Sequence, residues 1–229
     1  MRPNLPLVVS IFVVAGSMFG SCKKKQEEPV DLRITQFDSG IVNQKASELE
    51  ATIVPTLKEG LKMSVWAVDS MIIDPVSIYV DEEGALYYVS SERLGISEFD
   101  IRGHQKWEIP SISWQTYEDR RAFLRKEFAP ERSAENEWLT DLNKDGSHDW
   151  KDLMIEKESV FKVRDTDGDG RADWTQRAVY DFHEEITDLA LAVTKHEGDL
   201  FVGVAPDFWR LQDENGDGIF EKKTSISNG

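Results

Sequence analysis

The sequence contains a single cysteine, Cys22, among its 229 residues. One cysteine cannot form an intramolecular disulfide, and it cannot complete the C-x-x-C-H motif that attaches haem. The sequence also has no glycine-rich phosphate loop and no G-x-S-x-G nucleophile elbow. Its histidines are scattered, and none stands at metal-ligand spacing from another: His104, His148, His183 and His196. These absences remove the commonest sequence signatures of haem, nucleotide and hydrolase sites.

Basic residues are also scarce. The chain has 27 Lys and Arg against 43 Asp and Glu, which gives a formal net charge of -16. An acidic balance of this size opposes binding to nucleic-acid phosphates and favours cations as partners. The 40% content of hydrophobic residues is nonetheless enough for one sizeable domain or two small ones. We therefore expect a folded, acidic protein that does not bind nucleic acid.

Long apolar runs are absent except near the amino terminus, where residues 5–19 are largely apolar. This run is too short for a membrane span and is typical of a secretory signal. The small residues before Cys22 resemble a bacterial lipobox, although Phe19 stands where leucine is commoner. The resemblance implies cleavage before Cys22 and lipid attachment to it, so residues 1–21 are predicted as a lipoprotein signal peptide. An ordinary signal peptide with an incidental cysteine is the alternative.

Residues 22–60 are predicted as a tether and amino-terminal segment. The string KKKQEEP after the cysteine is polar and without periodicity, as a flexible tether is. A short helix is expected around Ser47 to Leu57, interrupted by Pro55. The predicted location is the bacterial cell envelope, where the lipid on Cys22 anchors the protein to the membrane at the periplasmic face or the outer-membrane surface.

The rest of the chain contains two copies of a four-strand unit. In each copy a hairpin with a turn glycine precedes a second hairpin with an aspartate-rich turn. The predicted strands of the first copy are 75–80, 85–89, 160–164 and 174–182, and those of the second are 189–194, 199–204, 208–212 and 220–226. The spacing of the two copies requires an insertion in the first, at about 91–157.

Four-strand repeats of about fifty residues are typical of propeller blades. The predicted fold is therefore mainly β, an incomplete β-propeller of about two four-stranded blades over residues 61–229, with a partly helical insertion. A β-sandwich whose hairpins happen to be similar is the alternative. Within the insertion we expect one helix over Tyr117 to Phe128, which Pro130 ends, and a second over Ser133 to Leu142, with Ser133 as its cap.

Three aspartate-rich loops predict calcium binding, because calcium takes six to eight oxygen ligands and a glycine lets a short loop turn around the ion. The predicted ligands of the first loop, in the insertion, are Asp141, Asn143, Asp145, the Ser147 carbonyl, Asp149 and Asp152. Those of the second loop are Asp165, Asp167, Asp169, the Arg171 carbonyl and Asp173. Those of the third loop are Asp213, Asn215, Asp217, the Ile219 carbonyl and Glu221.

The first loop has the fullest ligand set, since the second and third have Gln176 and Thr224 at position twelve and need water or an outside group. The first loop has Asp152 at that position, where a sensor loop has glutamate, and the shorter side chain of aspartate disfavours bidentate closure. The alternative for all three is that Asp, Asn and Gly simply make good turns. A bound calcium ion would serve structure by neutralising close carboxylates.

Four tryptophans, Trp107, Trp114, Trp138 and Trp150, lie in or near the insertion. They could line a sugar-binding surface, but the favoured interpretation is that they build the core of the insertion, because aromatic residues of a small helical insert are more often buried.

The strings DPVSIYVDEEGALYYV, DIRGH, DLNKDGSHDWKDL and VAPDFWRLQDENGDG resemble the membrane-bound dehydrogenase family of PVC type. The resemblance runs from about Leu61 to the end. It implies an exported oxidoreductase with a six-bladed propeller similar to glucose/sorbosone dehydrogenases, and commonly a downstream cytochrome c domain. The blades that supply the catalytic base and the quinone contacts would lie beyond Gly229, as would the cytochrome domain. No catalytic residue is therefore assigned, and haem or quinone is expected only in a longer protein.

The predicted function is the amino-terminal, calcium-binding propeller portion of an exported lipoprotein similar to sugar or alcohol dehydrogenases coupled to electron transfer, inactive alone. A redox partner follows from that prediction. The first alternative is a non-catalytic, calcium-dependent module of the envelope that binds carbohydrate or protein. A small stand-alone, calcium-stabilised scaffold is the second.

Overall fold

The computed structural model describes residues 34–93, 103–179 and 182–226. All of them belong to one structural unit, Leu32–Gly229. The predicted signal peptide and its lipid-anchor residue Cys22 lie outside the described ranges. Within those ranges, no helix is long and apolar enough to cross a membrane.

Two antiparallel sheets form the fold. The first has the order β1-β5-β4-β3-β2 and the second the order β6-β7-β8-β9. The first sheet consists of β1 (Thr35–Gln36), β2 (Pro75–Val80), β3 (Leu86–Ser91), β4 (Glu158–Arg164) and β5 (Trp174–Arg177). The second consists of β6 (Ala190–His196), β7 (Asp199–Val204), β8 (Asp207–Gln212) and β9 (Lys222–Ser225). The mainly β class and the two four-strand units are confirmed, and β1 adds a strand that the sequence did not predict.

The two sheets pack face to face around a shared apolar core. The first sheet contributes Tyr87, Val89 and Val160, and the second contributes Leu200 and Val202, all buried. Alternation produces this arrangement, because successive side chains of a strand point to opposite faces. Each fully buried side chain of this size stabilises the fold by about 1.5–3 kcal/mol.

The opposite face of the first sheet is covered by the amino-terminal segment. The helix α1 (Ser39–Thr52) buries Val42 and Ala46 against this face, together with Val68 and Met71 of the following segment. The sequence placed a helix around 47–57, and those bounds are wrong. The Asp38 side chain accepts a hydrogen bond from the Ile41 N–H and starts the helix earlier. The helix ends before Pro55, since a proline disfavours helical geometry in the residue before it.

The insertion between β3 and β4 contains α2 (Glu108–Ser113), which was not predicted, and α3 (Tyr117–Glu127), which was. A capping box between Thr116 and Asp119 starts α3. The predicted helix over 133–142 is wrong, because a 3-10 helix at Pro130–Glu135 takes its place. Ser133 lies inside this short helix, and its hydroxyl accepts a hydrogen bond from the His148 N–H instead of capping a helix.

Charged side chains attach the insertion to the segment between the sheets. The buried Glu185 carboxylate forms salt bridges with the guanidinium groups of Arg121 and Arg125 of α3, with N–O distances of 2.9 and 2.7 Å. The Tyr117 hydroxyl donates to the Pro206 carbonyl at 3.1 Å. The insertion is therefore fixed at the end of the sheets where β7 turns into β8.

Candidate cation-binding loops

The second and third loops occupy equivalent places in the two sheets, since one joins β4 to β5 and the other joins β8 to β9. The first loop lies in the insertion, after the 3-10 helix at Pro130–Glu135. The local sequence builds all three, because Asp and Asn side chains alternate along each loop and accept hydrogen bonds from nearby backbone N–H groups.

The three loops share one hydrogen-bond pattern. The position-one carboxylate accepts from the position-six glycine N–H in each: Asp141 from Gly146 at 3.0 Å, Asp165 from Gly170 at 2.9 Å and Asp213 from Gly218 at 2.8 Å. Position three accepts from the position-five N–H in Asn143–Asp145, Asp167–Asp169 and Asn215–Asp217. Position five accepts from the position-seven N–H in Asp145–Ser147, Asp169–Arg171 and Asp217–Ile219. Three loops of different sequence therefore adopt one conformation.

The backbone turns through the left-handed region at the same two positions in every loop. The position-six glycines Gly146, Gly170 and Gly218 have φ of 84°, 92° and 86°. Position four is glycine in the second and third loops but Lys144, at φ 60°, in the first. A side chain is tolerated there at a cost that glycine avoids. The shared turn points the side chains of positions one, three and five inward together.

Three carboxylates meet in the second loop. One oxygen each of Asp165, Asp167 and Asp169 lies within 4.8 Å of the others. Such a group of three carboxylates is found only there among the described residues, because Asn143 and Asn215 hold position three in the other two loops. The amide oxygen of asparagine can also coordinate calcium, so the second loop differs from the other two in negative charge and not in the number of oxygen ligands.

Helix α1 lies against the second loop and adds polar groups that the sequence did not reveal. The Ser39 hydroxyl donates to Asp167 at 2.6 Å, and the Asn43 amide donates to Asp169 at 2.7 Å. The position-nine carboxylate of Asp173 accepts from the Thr166 N–H and hydroxyl. Helix α1 is more than a hundred positions away along the chain, so no local pattern could have indicated it.

The first loop closes on itself. Asp152, at position twelve, is fully buried, and its carboxylate accepts from the N–H groups of Leu142, Asn143 and Asp149. Asp152 therefore ties the two ends of the loop together. The Lys151 ammonium lies 3.4 Å from Asp145 and 3.3 Å from Asp149. Hydrogen bonding to Asp149 and Asp145 raises the pKa of Lys151.

The third loop contains a buried oxygen without a hydrogen-bond partner. The Oε1 atom of Glu221 accepts from the Glu214 N–H at 3.3 Å, while Oε2 is buried and has no partner among the described residues. Gln176, at position twelve of the second loop, points to this third loop and donates to the Asp217 carbonyl at 3.4 Å. The missing position-twelve acid is therefore replaced by a contact that links the two loops.

Two of the four tryptophans, Trp107 and Trp150, are part of the core of the insertion. Trp107 is buried with Leu124 and Phe128, which confirms the favoured interpretation for that residue. Trp114 and Trp150 are half-buried. Trp138 is 44% exposed and packs on the ring of His104, with centroids 4.3 Å apart.

At the end of the second sheet opposite the third loop lies a half-open recess of about 260 Å³. Its lining includes Phe182, Asp207, Trp209 and Lys223. The Trp209 and Phe182 rings lie 5.6 Å apart, and the Lys223 ammonium lies over the Phe182 ring at 4.2 Å. The lining of the recess contains both polar and apolar side chains, and the sequence analysis assigned no catalytic residue there.

The fold and its loops define a class: an acidic, mainly β protein with two packed sheets and three oxygen-rich turns of one conformation. A family model described as "Domain of unknown function (DUF7133)" matches residues 48–229, and the chain belongs to that family. The match begins inside α1 and includes the insertion, all three loops and every strand of the two sheets except β1. No curated protein and no solved structure gives a significant match.

Proposed function

We propose that this chain is a calcium-binding module of an exported lipoprotein, in which calcium stabilises the turns of the two sheets and the insertion. The observation that supports it best is the common loop conformation, which gathers carboxylate and amide oxygens in three separate sequences. The partnerless Oε2 atom of Glu221 adds to it, because a buried carboxylate oxygen without a hydrogen bond is costly unless a cation or water satisfies it.

The expected affinity is modest. Extracellular calcium modules typically bind with Kd of about 10⁻⁴–10⁻³ M. A free calcium concentration of ten times Kd would stabilise the fold by about 1.4 kcal/mol per occupied site. In a chain of this size that corresponds to a rise in Tm of roughly 3–6 °C per site.

We propose further that the two sheets are propeller blades and that the lipid on Cys22 anchors the module at the bacterial envelope. The support is the identical strand order of the two four-strand units and their face-to-face packing. With the resemblance to PVC-type dehydrogenases, the proposed context is an oxidoreductase coupled to electron transfer. Haem or quinone would be held by other parts of a longer protein, and the present chain would be inactive alone.

Titration calorimetry of the chelator-treated protein with calcium chloride tests the calcium proposal, with magnesium chloride as the competing ion. We expect saturable heat and a higher Tm at millimolar calcium. Asp165→Asn and Asp213→Asn should each remove one site, and Glu221→Gln should weaken the third loop alone. Asp69→Asn, at an exposed position outside the loops, is the matched control. Absence of both heat and Tm shift at millimolar calcium would overturn the proposal.

A second candidate function is carbohydrate binding through the insertion, supported by the 44% exposure of Trp138. Aromatic faces that remain exposed in a folded domain often mark binding sites. Loss of glycan binding in Trp138→Ala, with Ile109→Ala of the same insertion as a more exposed apolar control at 81%, would favour this candidate. Equal behaviour of the two variants on a glycan array would exclude it.

A further inference from the structure

A half-open cavity of about 430 Å³ lies on the face of the first sheet that α1 and the following segment cover. Three strands form its floor, with Ser159 and Phe161 of β4 between Tyr88 of β3 and Thr175 of β5. Met71, in the segment after α1, belongs to its wall. A volume of this size is typical of small-molecule sites in proteins.

Hydrogen bonds hold the walls of this cavity in place. The Tyr88 hydroxyl donates to the Met71 carbonyl at 3.1 Å, and the Ser90 hydroxyl donates to the Ile73 carbonyl at 3.3 Å. On the other side, the Phe37 N–H donates to a carbonyl of the second loop at 2.7 Å. Both walls are therefore tied to the sheet, and the cavity is preformed.

Two buried hydroxyls line the cavity without a hydrogen bond. Ser159 is 5% exposed and Thr175 is 8% exposed, and neither side chain has a hydrogen-bond partner among the residues that the structure describes. The register places both on the covered face, because Ser159 pairs with Ser90 and Thr175 pairs with Val163. Buried hydroxyls in folded proteins are normally satisfied, so this pair points to a polar partner that enters the cavity.

The spacing of the two hydroxyls sets the length of that partner. Thr175 lies opposite Val163, four positions beyond Ser159 along β4, and at about 3.3 Å per residue this separates the two hydroxyls by roughly 13 Å. Phe161 lies between them, half-buried and stacked on Tyr88 with ring centroids 5.3 Å apart. Hydrogen bonds of about 2.8 Å at both ends leave roughly 8 Å for the ligand itself. The ligand thus has two polar ends and an apolar middle.

The charge of the lining selects the sign of the ligand. Glu92 is the one charged residue among the described residues that line the cavity. Its N–H donates to the Lys157 carbonyl at 3.0 Å, and its Oε2 accepts from the Lys157 N–H at 3.1 Å, which fixes the carboxylate at the Ser159 end. An anionic ligand would meet this carboxylate with no cation in the lining to offset it. A protonated amine meets the carboxylate and a hydroxyl oxygen as acceptors.

We propose that this cavity binds a small aromatic amine, protonated at its nitrogen and carrying a hydroxyl at the other end. The ammonium donates to Glu92 and Ser159, the aromatic ring lies on Phe161, and the hydroxyl bonds to Thr175. None of the lining residues is a predicted ligand of the three loops. The inference therefore goes beyond the proposed function and does not depend on calcium.

Titration calorimetry with tyramine tests the ligand class, beside three molecules that each change one group. Tyrosol replaces the ammonium by a neutral hydroxyl, para-hydroxyphenylacetate replaces it by a carboxylate, and phenethylamine lacks the phenolic hydroxyl. We expect saturable binding of tyramine, with a Kd about three- to tenfold lower than that of tyrosol or phenethylamine, and no saturable binding of the anion. Absence of saturable heat with tyramine, or any of the three others binding as tightly, would overturn the inference.

Three variants test whether tyramine binds in this cavity. Thr175→Val should raise the Kd of tyramine about three- to tenfold and leave that of phenethylamine unchanged, because only tyramine has a hydroxyl for Thr175. Glu92→Gln keeps an acceptor for the Lys157 N–H but removes the charge, so it should weaken the binding of tyramine and not that of tyrosol. Ser159→Ala should weaken the binding of both amines.

Thr194→Val, at an exposed position of β6, is the matched control and should bind tyramine as the wild type does. Equal weakening of tyramine and phenethylamine by Thr175→Val would overturn the inference, as would unchanged tyramine binding in both Thr175→Val and Glu92→Gln. These two variants preserve side-chain size, so they decide the question even if Ser159→Ala fails to fold.

Discussion

A buried carboxylate, Glu158, lies where the first sheet, the insertion and the second sheet meet. It is fully buried, and its two oxygens have separate partners. Oε1 accepts from the Ser91 hydroxyl and Oε2 accepts from the Ala190 N–H, each at 2.7 Å. The buried Arg93 guanidinium is 3.9 Å away and donates to the carbonyls of Thr187 and Leu153. Replacement of this one residue should therefore loosen three parts of the fold.

The magnitude follows from what each substitution leaves behind. Glu158→Ala leaves the Ala190 N–H and the Ser91 hydroxyl without acceptors and the Arg93 charge without its carboxylate. Removing one member of a buried ion pair costs about 3–5 kcal/mol, a large part of the 5–15 kcal/mol by which such a domain is stable. Glu158→Gln keeps an acceptor for the Ala190 N–H, and its amide N–H can donate to the Ser91 oxygen where the carboxylate accepted from the Ser91 hydroxyl, so we expect it to cost about 1–2 kcal/mol.

The pH dependence gives the prediction its sign. Burial raises the pKa of Glu158 above its ordinary value, against the lowering effect of Ser91, Ala190 and Arg93. The folded chain therefore holds this proton more tightly than the unfolded chain. The contribution of Glu158 to stability is largest below its unfolded pKa and decreases as the pH rises through the folded pKa. The Gln variant has no titrating proton at this position. The difference in free energy of unfolding between it and the wild type should therefore decrease as the pH rises from the acidic range.

Urea unfolding at a series of pH values measures both effects. The reasoning is refuted if Glu158→Ala costs less than about 1 kcal/mol. The Ala190 N–H, the Ser91 hydroxyl and the Arg93 guanidinium would then have found other hydrogen-bond partners. The reasoning is equally refuted if the Gln variant loses ground to the wild type as the pH rises, since that would require a lowered pKa in the folded chain.

Two further predictions concern the sheets themselves. Burial raises the pKa of Asp81, but the Lys195 ammonium at 3.0 Å and the Ala85 N–H outweigh it, so the pKa is lowered. The contribution of Asp81 to the free energy of unfolding is thus present above the ordinary aspartate pKa and lost as the pH falls through the pKa in the folded chain. Asp81→Asn should cost about 1–3 kcal/mol near neutral pH, and urea unfolding should show a smaller loss of stability in acid than in the wild type. A variant that loses stability in acid as the wild type does would contradict this. Leu200→Ala, at a fully buried position, should cost about 2–5 kcal/mol in the same assay, whereas Leu191→Ala at 56% exposure should cost under about 1 kcal/mol.

Local chemistry explains what could be predicted from the sequence. The strands of both units alternate in polarity, and the turns around Gly84 and Gly198 contain glycines that adopt positive φ. The aspartate-rich loops are equally local, because the hydrogen bonds from N–H groups within the Asp165 turn to its own carboxylates join residues at most seven positions apart. Such patterns act over one turn or one strand, so they can be recognised without knowledge of the fold.

Helix boundaries were harder to predict, because they depend on competing local signals. Asp38 provides the cap that starts α1, but the polar sequence around it carries little periodicity. Ser133 has the chemistry of a helix cap, yet its hydroxyl serves the His148 N–H across the first loop. In both cases the hydrogen-bond partner that decided the helix boundary, Ile41 or His148, lies outside the segment predicted to be helical.

The sequence alone determined the strands of the two four-strand units, the site of the insertion and the turns of the three loops, because strand alternation and turn residues are local patterns. Only the tertiary structure decided that α1 lies on the Asp167 and Asp169 carboxylates, that Arg93 and Glu158 are buried together, and that Phe208 and Ile226 of the second sheet are exposed. These features depend on which surfaces leave water together. Which surfaces are buried depends on the packing of residues far apart in the chain, and the periodicity of the sequence does not predict that packing.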